Sequence, residues 1–105
     1  MLSAQEIKKF NKLVDKNDKR LADVFAALSD AKRCRIYRLF LKSGSKDLYV
    51  NDIAKLMDIS LPSASQHLKT LETAGLLHKE RHGQKTTFKI NKQDRIVNAL
   101  MKSVL

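Results

Sequence analysis

Apolar residues recur along most of this chain at the three- and four-residue spacing that marks one face of an α-helix. Near the start, for example, Ile7, Phe10, Leu13 and Val14 form one such stripe. Stretches with this pattern occur at residues 4–17, 21–28, 33–41, 51–57, 60–75 and 92–105. The pattern therefore predicts a mainly helical chain.

The fifth of these stretches carries the most distinctive helix. Ser60 is suited to cap it, and Pro62 is tolerated in the first turn because its missing N–H would be unpaired there. Ala64, Leu68 and Leu71 fall on one apolar face. The other face carries short polar side chains and one lysine: Ser63, Ser65, Gln66, Lys69, Thr70 and Thr73. Side chains of this kind meet base edges and phosphates in DNA complexes.

A shorter helix comes directly before this one. Asn51 or Asp52 can cap it, and its buried side is formed by Ile53, Leu56 and Met57. Only Asp58 and Ile59 remain between the two helices, which is enough for a turn. Two short helices joined in this way, the second with a polar outer face, predict a helix-turn-helix over residues 51–75.

Two β-prone segments, 76–81 and 86–90, follow around Gly83 and predict a hairpin. Its tip is basic, with Arg81, His82, Gln84 and Lys85. The stretch 48–50 is compatible with a further small strand. We therefore expect one mainly α domain over residues 1–105 with a small β-hairpin: a winged helix-turn-helix in the order ααααα-ββ-α, with residues 76–91 as the wing.

The net charge of the chain indicates the kind of partner that it binds. The 105 residues include 21 Lys and Arg against 11 Asp and Glu, a net charge of +10, which favours double-stranded DNA as a partner. The candidate contacts are Ser60, Pro62, Ser63, Ser65, Gln66, His67 and Lys69 on the helix, and Arg81, Gln84 and Lys85 on the wing. The sequence leaves open which of them contact bases and which contact phosphates.

A basic run precedes the helix-turn-helix, with Lys32, Arg33, Arg35 and Arg38 near the start of one helix. We expect some of these side chains to reach phosphate. For Arg33 an internal salt bridge is the alternative. The sequence does not show which of the four point outward.

Several segments resemble the ArsR/SmtB-type winged-helix repressors. The resemblance rests on residues 27–36, on 51–56, on the run from Ser65 to Leu76, and on the wing with Gly83 and Phe88. It extends over roughly residues 20–91. It implies a homodimeric repressor that binds an inverted-repeat operator and dimerises through its terminal helices, residues 1–17 and 92–105. The interface residues expected on this basis are Ile7, Phe10, Val14, Ile96, Val97, Leu100, Met101 and Val104.

The chain departs from that family where many members bind metal. A Cys-Val-Cys motif of the family corresponds here to residues 49–51, which contain no thiol, and the last helix contains no histidine. The histidines His67, His78 and His82 are expected on different elements, far in sequence from Cys34. Zinc needs clustered imidazole or thiolate ligands, so we expect no metal site of the known kinds and no cofactor.

Cys34 is the only cysteine, which excludes an intrachain disulfide and favours a reducing, cytoplasmic setting. Two interpretations of it stay open: a buried, inert thiol, or a redox-sensing thiol activated by the neighbouring arginines.

No apolar run is long enough to cross a bilayer, so we expect no membrane partner. The chain shows no arrangement typical of an enzyme, such as a nucleophile with a base or a phosphate loop. The sequence-based conclusion is a DNA-binding transcriptional regulator with an unknown inducer. The alternatives are a protein-interaction module and a regulator that responds to a small ligand or to oxidation.

Overall fold

The computed structural model describes residues 1–14, 18–44 and 46–103, and its described elements follow the predicted order. The elements are α1 (Ala4–Leu13), α2 (Asp18–Leu28), α3 (Ala31–Lys42), β1 (Leu48–Tyr49), α4 (Val50–Met57), α5 (Leu61–Thr73), β2 (Leu77–His82), β3 (Lys85–Ile90) and α6 (Arg95–Ser103). Five helices come before the wing and one follows it within the described ranges. The predicted fold class is therefore confirmed, and the small strand at β1 is present.

The three strands form one antiparallel sheet in the order β1-β3-β2. Leu48 pairs with Phe88 on one side of β3, and Leu77 pairs with Ile90 on the other. The β2–β3 turn consists of two residues, and its first residue, Gly83, has a φ of +68°. A positive φ at the first turn position is easily adopted by glycine, which explains the tight connection.

The core lies between α2, α3, α4, α5, the sheet and α6. Each of these helices contributes part of its apolar stripe, but Leu56, expected on the buried side of α4, is exposed. From the sheet, β2 contributes Leu77, and β3 contributes Phe88 and Ile90. The largest fully buried side chains are Tyr37, Phe40, Ile36, Ile53, Leu68, Leu71, Leu76, Val24 and Val97. The recognition helix of the predicted helix-turn-helix, α5, is thus held on the core by Leu68 and Leu71.

Helix α1 differs from the others because none of its residues is buried. It begins with a capping box in which Ser3 and Glu6 each accept a hydrogen bond from the other's backbone N–H. Its apolar stripe is exposed, with Phe10 53% and Leu13 70% accessible. An amphipathic helix with an uncovered apolar face indicates a surface that another element or molecule covers.

Three details of the sequence prediction need correction. Helix α4 begins at Val50 and its N-cap is Tyr49, not Asn51 or Asp52 as expected; the Tyr49 N–H donates to the Asp52 carboxylate at 2.8 Å. Helix α6 begins at Arg95, because the carboxylate of Asp94 accepts the backbone N–H groups of the first turn. Finally, α1 ends at Leu13; residues 15–17 of the predicted first helix lie outside the described residues.

Candidate nucleic-acid interface

Helix α5 is fixed at both ends by the local features that the sequence predicts. The hydroxyl of Ser60 accepts the backbone N–H of Ser63 at 3.2 Å, and Pro62 lies in the first turn. After the helix, Gly75 adopts a φ of +77°, which terminates it. Ala64 lies with the other two apolar residues of the stripe in the core. This anchoring leaves the opposite face free to contact a partner.

The turn between α4 and α5 is a left-handed helix end. Asp58 has φ 53° and ψ 52°, and its N–H is directed at the carbonyls of Ala54 and Lys55. The N–H of Ile59 also donates to Ala54, at 3.0 Å. These bonds satisfy the last carbonyls of α4 and turn the chain abruptly into α5. Asp58, Ile59 and the N-cap Ser60 separate the two helices, and the abrupt turn predicted between them is present.

The outward face of α5 carries the predicted polar residues. Ser65, Gln66 and Lys69 are exposed, whereas Ser63 is partly buried. Thr70 is also partly buried, and its hydroxyl donates to the Gln66 carbonyl at 3.1 Å, so it is engaged within the helix. Ser65, Gln66 and Lys69 therefore form the centre of the candidate surface, and their hydroxyl, amide and ammonium groups have no partner among the residues that the structure describes.

His67 lies at the edge of this surface rather than on it. The ring is partly buried, and within the described part of the chain its Nδ1 atom is buried without a hydrogen-bond partner. Its proximity to Asp30 contributes to a lowered Asp30 pKa, although the main cause is the hydrogen bond from the Arg33 backbone N–H. The buried Nδ1 faces the protein, so at most the other side of the ring is open to a partner.

The structure resolves the alternatives for the basic run on α3. Arg33 is partly buried: its Nε atom donates to the Ala27 carbonyl at 2.8 Å, and Asp30 lies 3.9 Å from its Nη1 atom. Its internal role is therefore confirmed. Lys32, Arg35 and Arg38 are exposed. These three side chains add positive charge to the surface of the molecule.

The wing presents its predicted basic residues to solvent. Arg81, Gln84 and Lys85 are exposed, and the ammonium of Lys85 lies 5.8 Å from the centre of the Tyr49 ring. Further along the hairpin, Lys89 forms an ion pair with Glu80. That contact lowers the pKa of Glu80 and raises the pKa of Lys89.

Cys34 is partly buried on α3, beside Arg35, Arg38 and Leu39 in a shallow surface depression. An inert thiol would be buried, and a redox-sensing thiol would be exposed. The partial burial of Cys34 is intermediate between the two.

Arg20 was not singled out from the sequence, yet it connects α5 to α6. Its guanidinium donates to the carbonyl of Ala74, directly after α5, and to the carboxylate of Asp94 at 2.7 Å. These partners lie 54 and 74 residues away in sequence. No local pattern indicates such a contact, and only the folded chain reveals it.

The residues expected at a dimer interface occupy three different environments. Ile7, Phe10 and Val14 are exposed, as is Met101, while Ile96 and Leu100 are partly buried. Val97 is fully buried in the protomer's own core. It has no surface left for a partner, so we remove it from the predicted interface. Val104 lies outside the described residues.

Comparison with known proteins identifies the family. A family model described as a helix-turn-helix domain matches residues 28–80. The transcriptional repressor SdpR of Bacillus subtilis is 41% identical over 69 residues, which cover 66% of this chain and 73% of SdpR. The arsenic resistance transcriptional regulator ArsR1 of Pseudomonas putida is 31% identical, covering 78% of this chain and 63% of that protein. The chain belongs to the ArsR family of winged-helix transcriptional regulators.

Solved structures agree with this family assignment. A winged helix-turn-helix DNA-binding domain from Mycobacterium bovis superposes with a TM-score of 0.69 at 25% identity, covering 84% of this chain and 80% of that one. That domain is described as homodimeric and as a possible ArsR-family regulator. The present ArsR-family protein is therefore a DNA-binding regulator. In its described residues, no helix combines the length and apolar character needed to cross a membrane.

Proposed function

We propose that this ArsR-family protein is a homodimeric repressor that recognises an inverted-repeat DNA operator through α5. The proposal rests on three exposed side chains of α5, Ser65, Gln66 and Lys69. The opposite face of this helix is buried in the core. A glutamine amide can pair with adenine through two hydrogen bonds, serine can meet several base edges, and lysine can contact guanine or phosphate. The net charge of +10 supplies attraction to the phosphate backbone.

The homodimer is supported by the apolar surface that the protomer leaves uncovered. Phe10 on α1 and Met101 on α6 are exposed, and Ile96 and Leu100 are partly buried beside the core. The homodimeric relative from Mycobacterium bovis supports the same arrangement. In a two-fold dimer the two copies of α5 would enter successive major grooves about 34–36 Å apart, and the wings would flank them.

Repression is the proposed outcome of operator binding, because the dimer would occupy DNA that polymerase needs. The description of SdpR as a transcriptional repressor supports this choice.

Gln66→Ala tests whether α5 reads bases. We expect 10- to 100-fold weaker operator binding in fluorescence anisotropy at fixed salt, since a lost base contact costs about 1–3 kcal/mol. Because the side chain is exposed, the melting temperature should not change. Gln93→Ala, which removes an exposed glutamine from the turn before α6, is the matched control and should bind normally. Equal affinity of Gln66→Ala and wild type would exclude Gln66 from DNA recognition.

A further inference from the structure

The solvent-facing side of the three-stranded sheet brings together side chains of types that bind metals, although the sequence analysis expected the histidines on different elements. His78 and His82 are not on different elements: both lie on β2, with Glu80 between them. Alternate residues of a strand point to the same face, so these three side chains share one side of the sheet. Asp47 directly precedes β1, across β3 from them. Side chains of β2 and of the residue before β1 thus approach each other over the middle strand, on the face that also carries Lys89.

The distances within this group are close to those of a metal site. The Nε2 atom of His82 lies 3.5 Å from Oε2 of Glu80 and 4.0 Å from Oδ2 of Asp47. One ligand atom from each of the three residues lies within 4.8 Å of the other two. In a tetrahedral zinc site with ligands at about 2.0–2.1 Å, the ligand atoms are about 3.3 Å apart. Small side-chain rotations would bring this group to that spacing.

We propose that Asp47, Glu80 and His82 form a site for a divalent transition metal ion such as Zn²⁺ on the wing. Carboxylate oxygen and imidazole nitrogen are both zinc ligand atoms, and three protein ligands leave a fourth position for water. None of these three residues belongs to the two positions where the family resemblance would place metal ligands, residues 49–51 and the last helix. The proposal concerns metal binding and does not depend on DNA recognition.

The neighbouring residues define which atoms are available to the ion. The ammonium of Lys89 contacts Oε1 of Glu80 at 2.5 Å, and His78 lies 3.9 Å from the same oxygen. The other carboxylate oxygen, Oε2, faces His82. Oε2 of Glu80 is therefore the oxygen available to the ion. The Lys89 ammonium holds Oε1 and lies near enough to Asp47 for that carboxylate to contribute to the raised Lys89 pKa, so an ion would bind beside this ammonium.

Occupancy of this site would join the tip of the hairpin to the start of β1. His82 is the last residue of β2, and Asp47 is exposed at the edge of the sheet. A bound ion would link these positions across β3 and restrict the motion of the wing. Since the ion binds the folded chain, it should also raise the melting temperature by several degrees at saturating concentration.

The test is a Zn²⁺ titration of the tag-free full chain by isothermal calorimetry, with a competing chelator. We expect one ion per chain, and binding at least about tenfold weaker in His82→Ala and in Asp47→Ala, since even indirect ligand partners contribute 10- to 100-fold. His78→Ala is the matched control on the same face of the same strand. It should bind Zn²⁺ as the wild type does, because His78 faces the oxygen held by Lys89.

Three outcomes would overturn the proposal: no saturable binding by wild type, unchanged binding in His82→Ala, or an equal loss in His78→Ala. Circular dichroism of each variant controls for folding, and because Asp47, His78 and His82 are exposed, the spectra should match. Melting curves with and without Zn²⁺ give a second measurement, in which the rise should occur in wild type and His78→Ala but not in His82→Ala.

Discussion

Arg20 connects the end of α5 to the start of α6. Its guanidinium reaches the carbonyl of Ala74 and the carboxylate of Asp94. The same carboxylate accepts the N–H groups of Ile96 at 2.8 Å and Val97 at 3.2 Å, which start α6. The Arg20 guanidinium therefore contacts both the end of the proposed DNA-contacting helix and the residue that caps a proposed dimerisation helix.

Asp94→Asn should lower the free energy of unfolding by about 1.5–3 kcal/mol, the usual contribution of a hydrogen bond to a charged group. The pair is only partly exposed, with side-chain accessibilities of 30% and 22%, so solvent screens it weakly. Urea denaturation at neutral pH measures the change. Asp23→Asn is the control: its ion pair with Lys19 is largely exposed, and its loss should cost below about 0.5 kcal/mol.

The same contact predicts a pH dependence. Partial burial raises the pKa of Asp94, but the hydrogen bonds from Arg20 and from the α6 backbone outweigh this effect, and the pKa is lowered overall. A carboxylate with a lowered pKa in the folded state stabilises the protein above its unfolded-state pKa of about 3.9. This stabilisation is lost as the pH falls through the lowered value. The difference between wild type and Asp94→Asn should hold from pH 7 to pH 5 and shrink below about pH 4; a difference that grows toward acid would contradict the assignment.

At the scale of elements, the periodic pattern of the sequence predicts α5 well because capping, burial and termination are local. Ser60, Leu68 and Gly75 have the roles in the structure that their residue types indicate. The metal-ligating group on the wing was not predictable, because Asp47 and His82 meet only through the pairing of strands distant in sequence. The register of the paired strands determines which residues lie side by side, and this register cannot be read from a single sequence.

We expect the basic residues of the wing to contribute to the salt dependence of DNA binding. If each subunit of a dimer neutralises about four phosphates, the slope of log K against log salt should be about −7. Replacing Arg81 and Lys85 with alanine would remove about two contacts per subunit and reduce the slope to about −3.5. Titrations between 50 and 200 mM salt measure it. As a control, the double variant Lys8→Ala/Lys9→Ala removes the same charge from α1. If this variant reduces the salt slope by a similar amount, net charge alone is responsible for the effect.

At the scale of the whole molecule, the chain exposes more surface than a folded monomer of its size. Its accessible surface is 7726 Å², against about 6,000 Å² expected for 105 residues. Its longest dimension is 58 Å and the other two are 24 and 23 Å. The uncovered apolar stripe of α1 contributes to this excess surface.

The apolar pattern of the sequence alone did not separate residues that face the protomer's own core, such as Val97, from residues that are free to face a partner, such as Phe10.

A charged substitution on the uncovered face tests the homodimer. Phe10→Glu combined with Met101→Glu places like charges in the proposed interface, where burial of unpaired charge is costly. We expect sedimentation at micromolar concentration to change from dimer to monomer, with at least tenfold weaker operator binding. Lys12→Glu on α1 gives a charge change at an exposed polar position and should leave the dimer intact. A double variant that keeps the dimer mass would place the interface elsewhere.

The most direct test of the central claim, that α5 of each subunit reads one half of a symmetric operator, is selection of bound DNA from a random pool by the wild-type protein. The account predicts enrichment of an inverted repeat whose half-sites are about 10–10.5 base pairs apart, centre to centre. The selected sequence should bind with the steep salt dependence given above. A pool without enrichment, or a single asymmetric site bound with a salt slope near zero, would contradict the account.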